Sequence, residues 1–398
     1  MKKNSACRKM SKVLLSLICA ALILLNGLGG MGALTAAAET GVLFERDELF
    51  TERDLTQTAD LSGAVTFAVS DGNDIRITGE GVYVLTGEAS NVTVYVEAGK
   101  KDKVQLVLDG VTITNDSMPC VYVISAGKAF VTTGADSKLA VTGAFRSDGD
   151  DNPDGVIFSR DDLVLNGTAT LSITSSKNGV VGKDDIKITG GAYAITAKSK
   201  AIEANDSIRI ADGALTLSAG TDCLHAENDD DDTMGYVYIG GGAISISAGD
   251  DGIHAVSAVQ IDGGVIGVAA AEGIEATYVQ INRGEITIQA TDDGVNAAKK
   301  SSAYRPTVEI NGGTITVTMA SGDTDGVDSN GDIYVNGGTI SVTGNSTFDY
   351  DGTAEYNGGV IIVNGQQIDY IPNQMMGGMG GMGGNRGMGG SRGMGGWR

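Results

Sequence analysis

The chain has 398 residues, with 50 acidic against 28 basic side chains, 60 Gly, only 4 Pro and 5% aromatics, for a formal charge of −22. So much Gly with so little Pro excludes collagen, and 41% apolar residues exclude a wholly disordered chain. The acidic balance argues against nucleic acid and points to cations, neutral polymers, or anionic polymers bridged by cations.

Residues 1–38 read as a secretory signal. Lys2, Lys3, Arg8, Lys9 and Lys12 precede an apolar run from Val13 to Leu25, and Ala36-Ala37-Ala38 fits an A-x-A cleavage site. Ile18 is too large for the lipobox that Cys19 would otherwise suggest. Losing five basic and no acidic residues leaves 23 against 50, a mature charge of −27. No later run approaches the roughly 18 apolar residues that span a bilayer. The expected product is secreted or held on the extracellular surface. Only Cys120 and Cys223 remain after cleavage, in coils too far apart for a disulfide.

Residues 39–60 are polar and irregular, suited to an N-terminal cap. From 61 to 372 the chain repeats. Gly-containing turns recur at Gly167, Gly191, Gly213, Gly242, Gly264, Gly284, Gly313, Gly338 and Gly359, about every 22 residues. Longer steps carry polar insertions, Asn228 to Asp232 and Lys299 to Pro306. Each turn is followed by an alternating run such as Ala243 to Ala248 (AISISA) or Thr314 to Thr318 (TITVT), which predicts a strand with one buried face. A short strand precedes the turn (Val259-Gln260-Ile261), and another follows an acidic corner (Ile253-His254-Ala255). Three short strands per 22 residues with no helical stretch predict an all-β fold: a single-stranded, right-handed parallel β-helix. Val104 to Leu108, Val111 to Ile113 and Cys120 to Ile124 read as earlier, less regular coils. Residues 373–398, rich in Gly and Met, cannot offset their ordering entropy and read as a disordered tail, either a spacer or a weak attachment to cell wall.

Stacking the coils aligns chemistry. One corner places Asp222, Asp251, Glu272, Asp293 and Asp325 in a column, flanked by Asp250 and Asp292. The next outward position reads Glu203, His225, His254, Glu275, Asn296 and Asp328. Carboxylates about 4.8 Å apart repel by about 3.5 kcal/mol at an effective dielectric of 20, so such a column asks for a counter-ion, and hard oxygen ligands suit Ca²⁺. Asp148, Asp150, Asp151 and Asp154, with Asp161-Asp162 and Asp184-Asp185 one coil apart, form a second Ca²⁺ candidate. Both sets have an ordinary alternative, since Asp-Gly is a common turn pair. His225 and His254 read as solvated surface rather than a transition-metal site, and Asp229 to Asp232 as a flexible loop. A face of small hydroxyls (Ser172, Thr216, Ser218, Ser245, Ser247, Thr287, Thr316, Thr318, Ser341, Thr343) is flat enough to lie along a polysaccharide. Gly267, Ala269 and Gln289 interrupt it, which disfavours ice binding.

Lys103 to Gly110 (KVQLVLDG), Gly155 to Leu163 (GVIFSRDDL), Lys183 to Gly190 (KDDIKITG), the repeated Gly-Gly-x-Ile-x-Ile strands and the tail resemble the secreted carbohydrate-binding β-helix proteins of plant-fibre-degrading bacteria. The resemblance covers roughly residues 45–370. It implies binding of cellulose and pectin-like acidic glycans of the plant cell wall, bound calcium, and a pectate-lyase-like fold without efficient catalysis. Ala201 and Cys223 stand at corners where the repeat has Gly. Two readings remain: a non-catalytic, Ca²⁺-dependent polysaccharide binder, or a Ca²⁺-dependent polysaccharide lyase. A lyase needs a base beside the metal, and Lys183, Lys200 and Arg209 lie nearest the acidic columns. The Asp250–Asp293 corner has no basic residue in its own coils by this reading, and carboxylates so close fit ion binding better than paired acid/base hydrolysis.

Overall fold

Alternation of Ile, Val and Leu with small polar residues becomes strand after strand in the computed structural model, which describes residues 41–149, 152–322 and 324–374. Residues 1–38, expected to be a secretory signal, and nearly all of the Gly/Met-rich tail lie outside the described residues, as do Asp150 and Asp151. Among the described residues the only helix is the single turn Arg46–Leu49, and no helix is long and apolar enough to cross a membrane.

The strands of the described residues form two sheets, of 24 and 12 strands. One coil contributes Ala258–Ile261 and Val265–Ala270 to the larger and Glu272–Ala276 to the smaller. Each pairs in parallel with its equivalent one coil on, so Val259 meets Val279 and Ile253 meets Ile274. Nearly all-β, with long parallel sheets in register: the arrangement fits a β-helix. The exception is terminal, where Gln366–Ile368 turns back antiparallel on Val360–Val363. Near the N-terminus the two expected segments after Lys103 fuse into one strand, Lys103–Asn115, with a register shift at Leu108/Asp109.

Register sorts side chains into columns. Ile202, Leu224, Ile253, Ile274, Val295 and Val327 follow one another inward, all buried, each stabilising by roughly 1.5–3 kcal/mol relative to exposure. The nine turn glycines predicted from the spacing all adopt positive φ, from 80° to 136°. A second glycine column serves close approach instead: a Cβ on Gly294 would sit 2.5 Å from Val317 Cγ1 and closer still to the Gly326 carbonyl oxygen. Ala201 and Cys223 occupy this column in their coils and are fully buried. Cys120 and Cys223 are both free, and burial pushes each thiol up to about 12, so both remain protonated. At another corner Asn282, Asn311, Asn336 and Asn357 form an amide ladder, each side-chain NH₂ donating to the previous side-chain oxygen at 2.7–2.9 Å.

The N-terminal segment lies along the flank of the larger sheet. Leu43 and Phe44 donate backbone N–H to the Gln280 and Gln260 side chains, Phe44 stacks on Tyr236 at 4.2 Å, and Arg53 covers Phe130. Asp54, wholly buried, accepts the Thr51 N–H at 3.0 Å and pairs with Lys128 (3.2 Å) and Lys187 (3.5 Å), and together these outweigh its burial to hold the carboxyl below its ordinary range. Outward Gln, Tyr, Arg and Lys side chains of successive coils provide this flank with partners that the end of the stack would not.

Gly294→Ala is expected to lower the unfolding free energy by about 1–3 kcal/mol, because backbone must move. Gly267→Ala, with nothing within 4 Å, should be neutral. Urea unfolding of the two variants checks the contrast.

Candidate functional site at the acidic corner

Both acidic columns exist in the register deduced from the sequence. Asp222 aligns with Asp251, which pairs with Glu272, and Glu203, His225, His254, Glu275, Asn296 and Asp328 follow one another on the adjoining strand. The corner carboxylates partly serve as turn caps: Asp222 accepts the Asp251 N–H at 3.2 Å and Asp293 accepts that of Asp325 at 3.1 Å.

The column is a groove of about 690 Å³, walled by the two insertions that interrupt the repeat. Ser301 donates to the Asp232 carbonyl at 2.6 Å, and Ser302 bonds the Asp232 side chain, so the loop at 228–235 is tied down rather than loose. The histidines are not solvated surface. Both line the groove with side chains only 8% and 12% exposed, stacked at 4.6 Å between centroids, because the insertions shelter them. His254 Nδ1 lies 2.6 Å from Asp251 and 3.0 Å from Glu275. A basic residue also reaches this corner, contrary to the sequence reading: Lys300, from the second insertion, pairs with Glu275 at 2.8 Å. Insertions map to one face of a solenoid, which was the available signal for Lys300 and for Glu227, 3.0 Å from His225 Nε2.

Electrostatics follow burial. Burial alone would depress His254, but hydrogen bonds to Asp251 and Glu275 raise it to about 9. Burial raises Glu275, yet His254 and Lys300 outweigh it and leave it below its usual value. Asp222 is lowered against its burial by His225 and the Asp251 N–H. Burial, then Glu275 and Asp251, lift Glu272 to about 7. Burial lifts Asp293 to about 6 and, with Asp293 and Asp325 beside it, Asp328 to about 7. Protein cations thus neutralise the middle of the column and leave its rim short of positive charge. Asp222, Asp250 and Asp251 place carboxylate oxygens within 4.8 Å of one another, as do the ligand atoms of Asp251, His254 and Glu275. Asp292 stays exposed at the edge.

The second acidic set divides. Asp162, Asp184 and Asp185 converge within 4.8 Å, and burial with an Asp206 hydrogen bond lifts Asp184 to about 7. Asp154 and Asp161 do not join them; Lys177 (2.7 Å) and Lys100 (2.6 Å) neutralise them. The nominated bases are already engaged: Lys200 with Glu203 (3.1 Å) and Arg209 with Asp185 (2.7 Å), both members of the acidic sets, while Lys183 lies over the Phe158 ring.

The hydroxyl face forms two rows. Thr216, Ser245, Gly267, Thr287, Thr316 and Ser341 follow one another, and beside them Ser218, Ser247, Ala269, Gln289, Thr318 and Thr343. Thr216, Ser218, Ser245, Ser247 and Thr287 are exposed, Thr316 and Ser341 half-buried.

A profile of the carbohydrate-binding domain-containing protein family matches residues 71–323 and 268–368. A carbohydrate-binding domain-containing protein of Acetivibrio thermocellus is 30% identical over 193 residues, 46% of this chain and 64% of that relative, so the match spans just under two thirds of the relative's length. Among solved structures, the polysaccharide lyase-like protein from C. thermocellum, as a gadolinium derivative, aligns at 22% identity with a TM-score of 0.36, covering 75% of this chain and 96% of that one.

A pH dependence follows. His254 has a folded pKa above its free value, so its contribution is complete below about 6.5 and disappears as pH rises through about 9. Glu272 and Asp328, also raised, lose stability in the same direction as pH climbs through about 7. Asp222 and Glu275, lowered, act oppositely, losing theirs on acidification. In chelating buffer the unfolding free energy from urea melts should fall between pH 6 and 9, and His254→Gln should flatten the alkaline part of that fall.

Proposed function

The chain belongs to the carbohydrate-binding domain-containing protein family, and from that we propose that it is a non-catalytic polysaccharide-binding protein, secreted or held on the cell surface. Its ligand is cellulose or a pectin-like acidic glycan of the plant cell wall. We take the architecture as one right-handed solenoid, with the Gly/Met-rich tail contributing to wall association. The observation that carries the reading is the exposed double row of small hydroxyls on one flat sheet face, in a chain whose family profile spans that face. Coils about 4.8 Å apart present hydroxyls at successive steps, broken at the coil of Gly267 and Ala269, a hydrogen-bonding ruler for an extended sugar chain.

Ca²⁺ completes the reading. The carboxylates of Asp222, Asp250 and Asp251, with Glu272 above them, fit a hard cation, as do Asp162, Asp184 and Asp185. At the rim of the groove such an ion would also bridge to a uronate. Each set already has protein partners beside it: His225 on Asp222, His254 on Asp251 and Glu275, and Arg209 on Asp185.

One observation keeps the lyase reading in view: Lys300 stands in the groove among the carboxylates. Its amine is already engaged by Glu275 at 2.8 Å, which supports binding over elimination.

Pull-down of the full chain on cellulose and polygalacturonate tests the proposal. Thr216→Val with Thr287→Val and Thr316→Val should reduce retention about tenfold or more with melting unchanged; unaltered retention removes the face as the site. Chelation should lower both melting temperature and retention on the acidic glycan, and if it changes neither, the calcium assignment fails. Sustained formation of ultraviolet-absorbing unsaturated product from polygalacturonate with Ca²⁺ would replace the binder with the lyase.

A further inference from the structure

The outward hydroxyl rows continue toward the N-terminus beyond Ser218. Thr196 and Thr174 stand in register with it, one and two coils back, and both are exposed. Where these strands end, the corner changes character along the stack. In the later coils the strand is followed by Gly220, or by Gly249 and Asp250. In the early coils Ser176 and Lys177 follow one strand and Lys198 the next.

At that lip lies a cavity of about 590 Å³, within the range of about 300–1,000 Å³ usual for small-ligand sites. The chain leaving Val141 forms one wall. It takes a long path to the next strand at Gly155, whereas the following coil turns the same corner with Ser176 and Lys177 alone. The wall is pinned from both sides: the Arg146 N–H donates to the Ser117 carbonyl at 3.1 Å, and the Ser176 hydroxyl donates to the Gly143 carbonyl. Phe145 packs half-buried on the core, and Arg146 is exposed.

Arg146, Lys177 and Lys198 line this cavity with Phe145, a concentration of positive charge in a chain of net −22. Among the described residues Asp154 is the one acidic side chain in the lining, and Lys177 answers it at 2.7 Å. Arg146 and Lys198 have no carboxylate partner among the described residues, unlike Lys100, Lys128, Lys200, Arg209 and Lys300. A guanidinium holds a carboxylate through two parallel N–H donors, an ammonium adds a point charge, and an aromatic ring offers an apolar surface to the C–H face of a sugar. We propose that this cavity is a metal-free subsite for one uronate residue of an acidic glycan whose neighbouring residues lie along the hydroxyl rows. The proposal rests on the reading of that face as a glycan surface and adds to it a direct recognition of charge. Here the protein itself supplies the cation, so removal of metal leaves the contact intact and added salt weakens it.

Calorimetric titration of the full chain, stripped of metal on a chelating resin, with trigalacturonate tests the proposal. One site is expected, with affinity falling as salt rises. Arg146→Gln combined with Lys198→Gln should weaken binding about tenfold or more at unchanged melting temperature, leaving the acid bound no better than the wild type binds its methyl ester. Phe145→Leu, which keeps an apolar contact with the core, should also weaken it by removing the ring. No binding to the stripped chain, binding indifferent to these substitutions, or triglutamate bound as tightly as trigalacturonate would overturn the subsite. Retention on cellulose, read in parallel, reports on the hydroxyl face: if it persists where trigalacturonate fails, the subsite falls and the polysaccharide-binding reading stands.

Discussion

In-register parallel stacking is the constraint on which the rest of the molecule depends. Each side chain meets its counterpart in the next coil at about 4.8 Å, so every position becomes a column of like upon like. For Ile and Val this is favourable, since a continuous apolar column excludes water along its length. For Asn it is favourable too, because an amide is both donor and acceptor and can bond to its own kind. For Asp and Glu it is not, and the acidic corners would repel without positive charge from elsewhere. The chain meets that demand unevenly. Lys100, Lys177 and Arg209 neutralise one side, and His254 with Lys300 the middle of the main column, while Glu272, Asp293 and Asp328 remain raised toward neutrality.

The period and both acidic columns were legible in the sequence because stacking makes them functions of position within the repeat. Once Gly242, Gly264 and Gly284 are aligned, the neighbours of Asp251 or Thr287 follow by counting. What escaped was whatever does not repeat. Lys300 reaches Glu275 only because an insertion carries it back over an earlier coil. The burial of His225 and His254 depends on two insertions meeting, and neither loop predicts the other. The neutralisation of Asp161 by Lys100 joins residues 61 apart from irregular early coils. The asparagine ladder does repeat, each Asn standing two residues before the turn glycine of its coil (Gly284, Gly313, Gly338, Gly359).

The flank along which residues 42–57 lie makes a related point. Its row of Gln, Tyr, Arg and Lys is polar and aromatic, like many sugar-binding surfaces, yet it is occupied by the chain itself. Among the described residues the exposed hydroxyl face carries no such cover, and this difference separates the two surfaces.

Order of synthesis gives that N-terminal segment a particular place in assembly. Leu43 and Phe44 find their hydrogen-bond partners 237 and 216 residues further along, in coils that emerge late from the ribosome. A solenoid can add coils one by one as it emerges, each resting on the last. This segment must wait, and when it docks it ties early coils to late ones, turning a sequence of local steps into a single closing event.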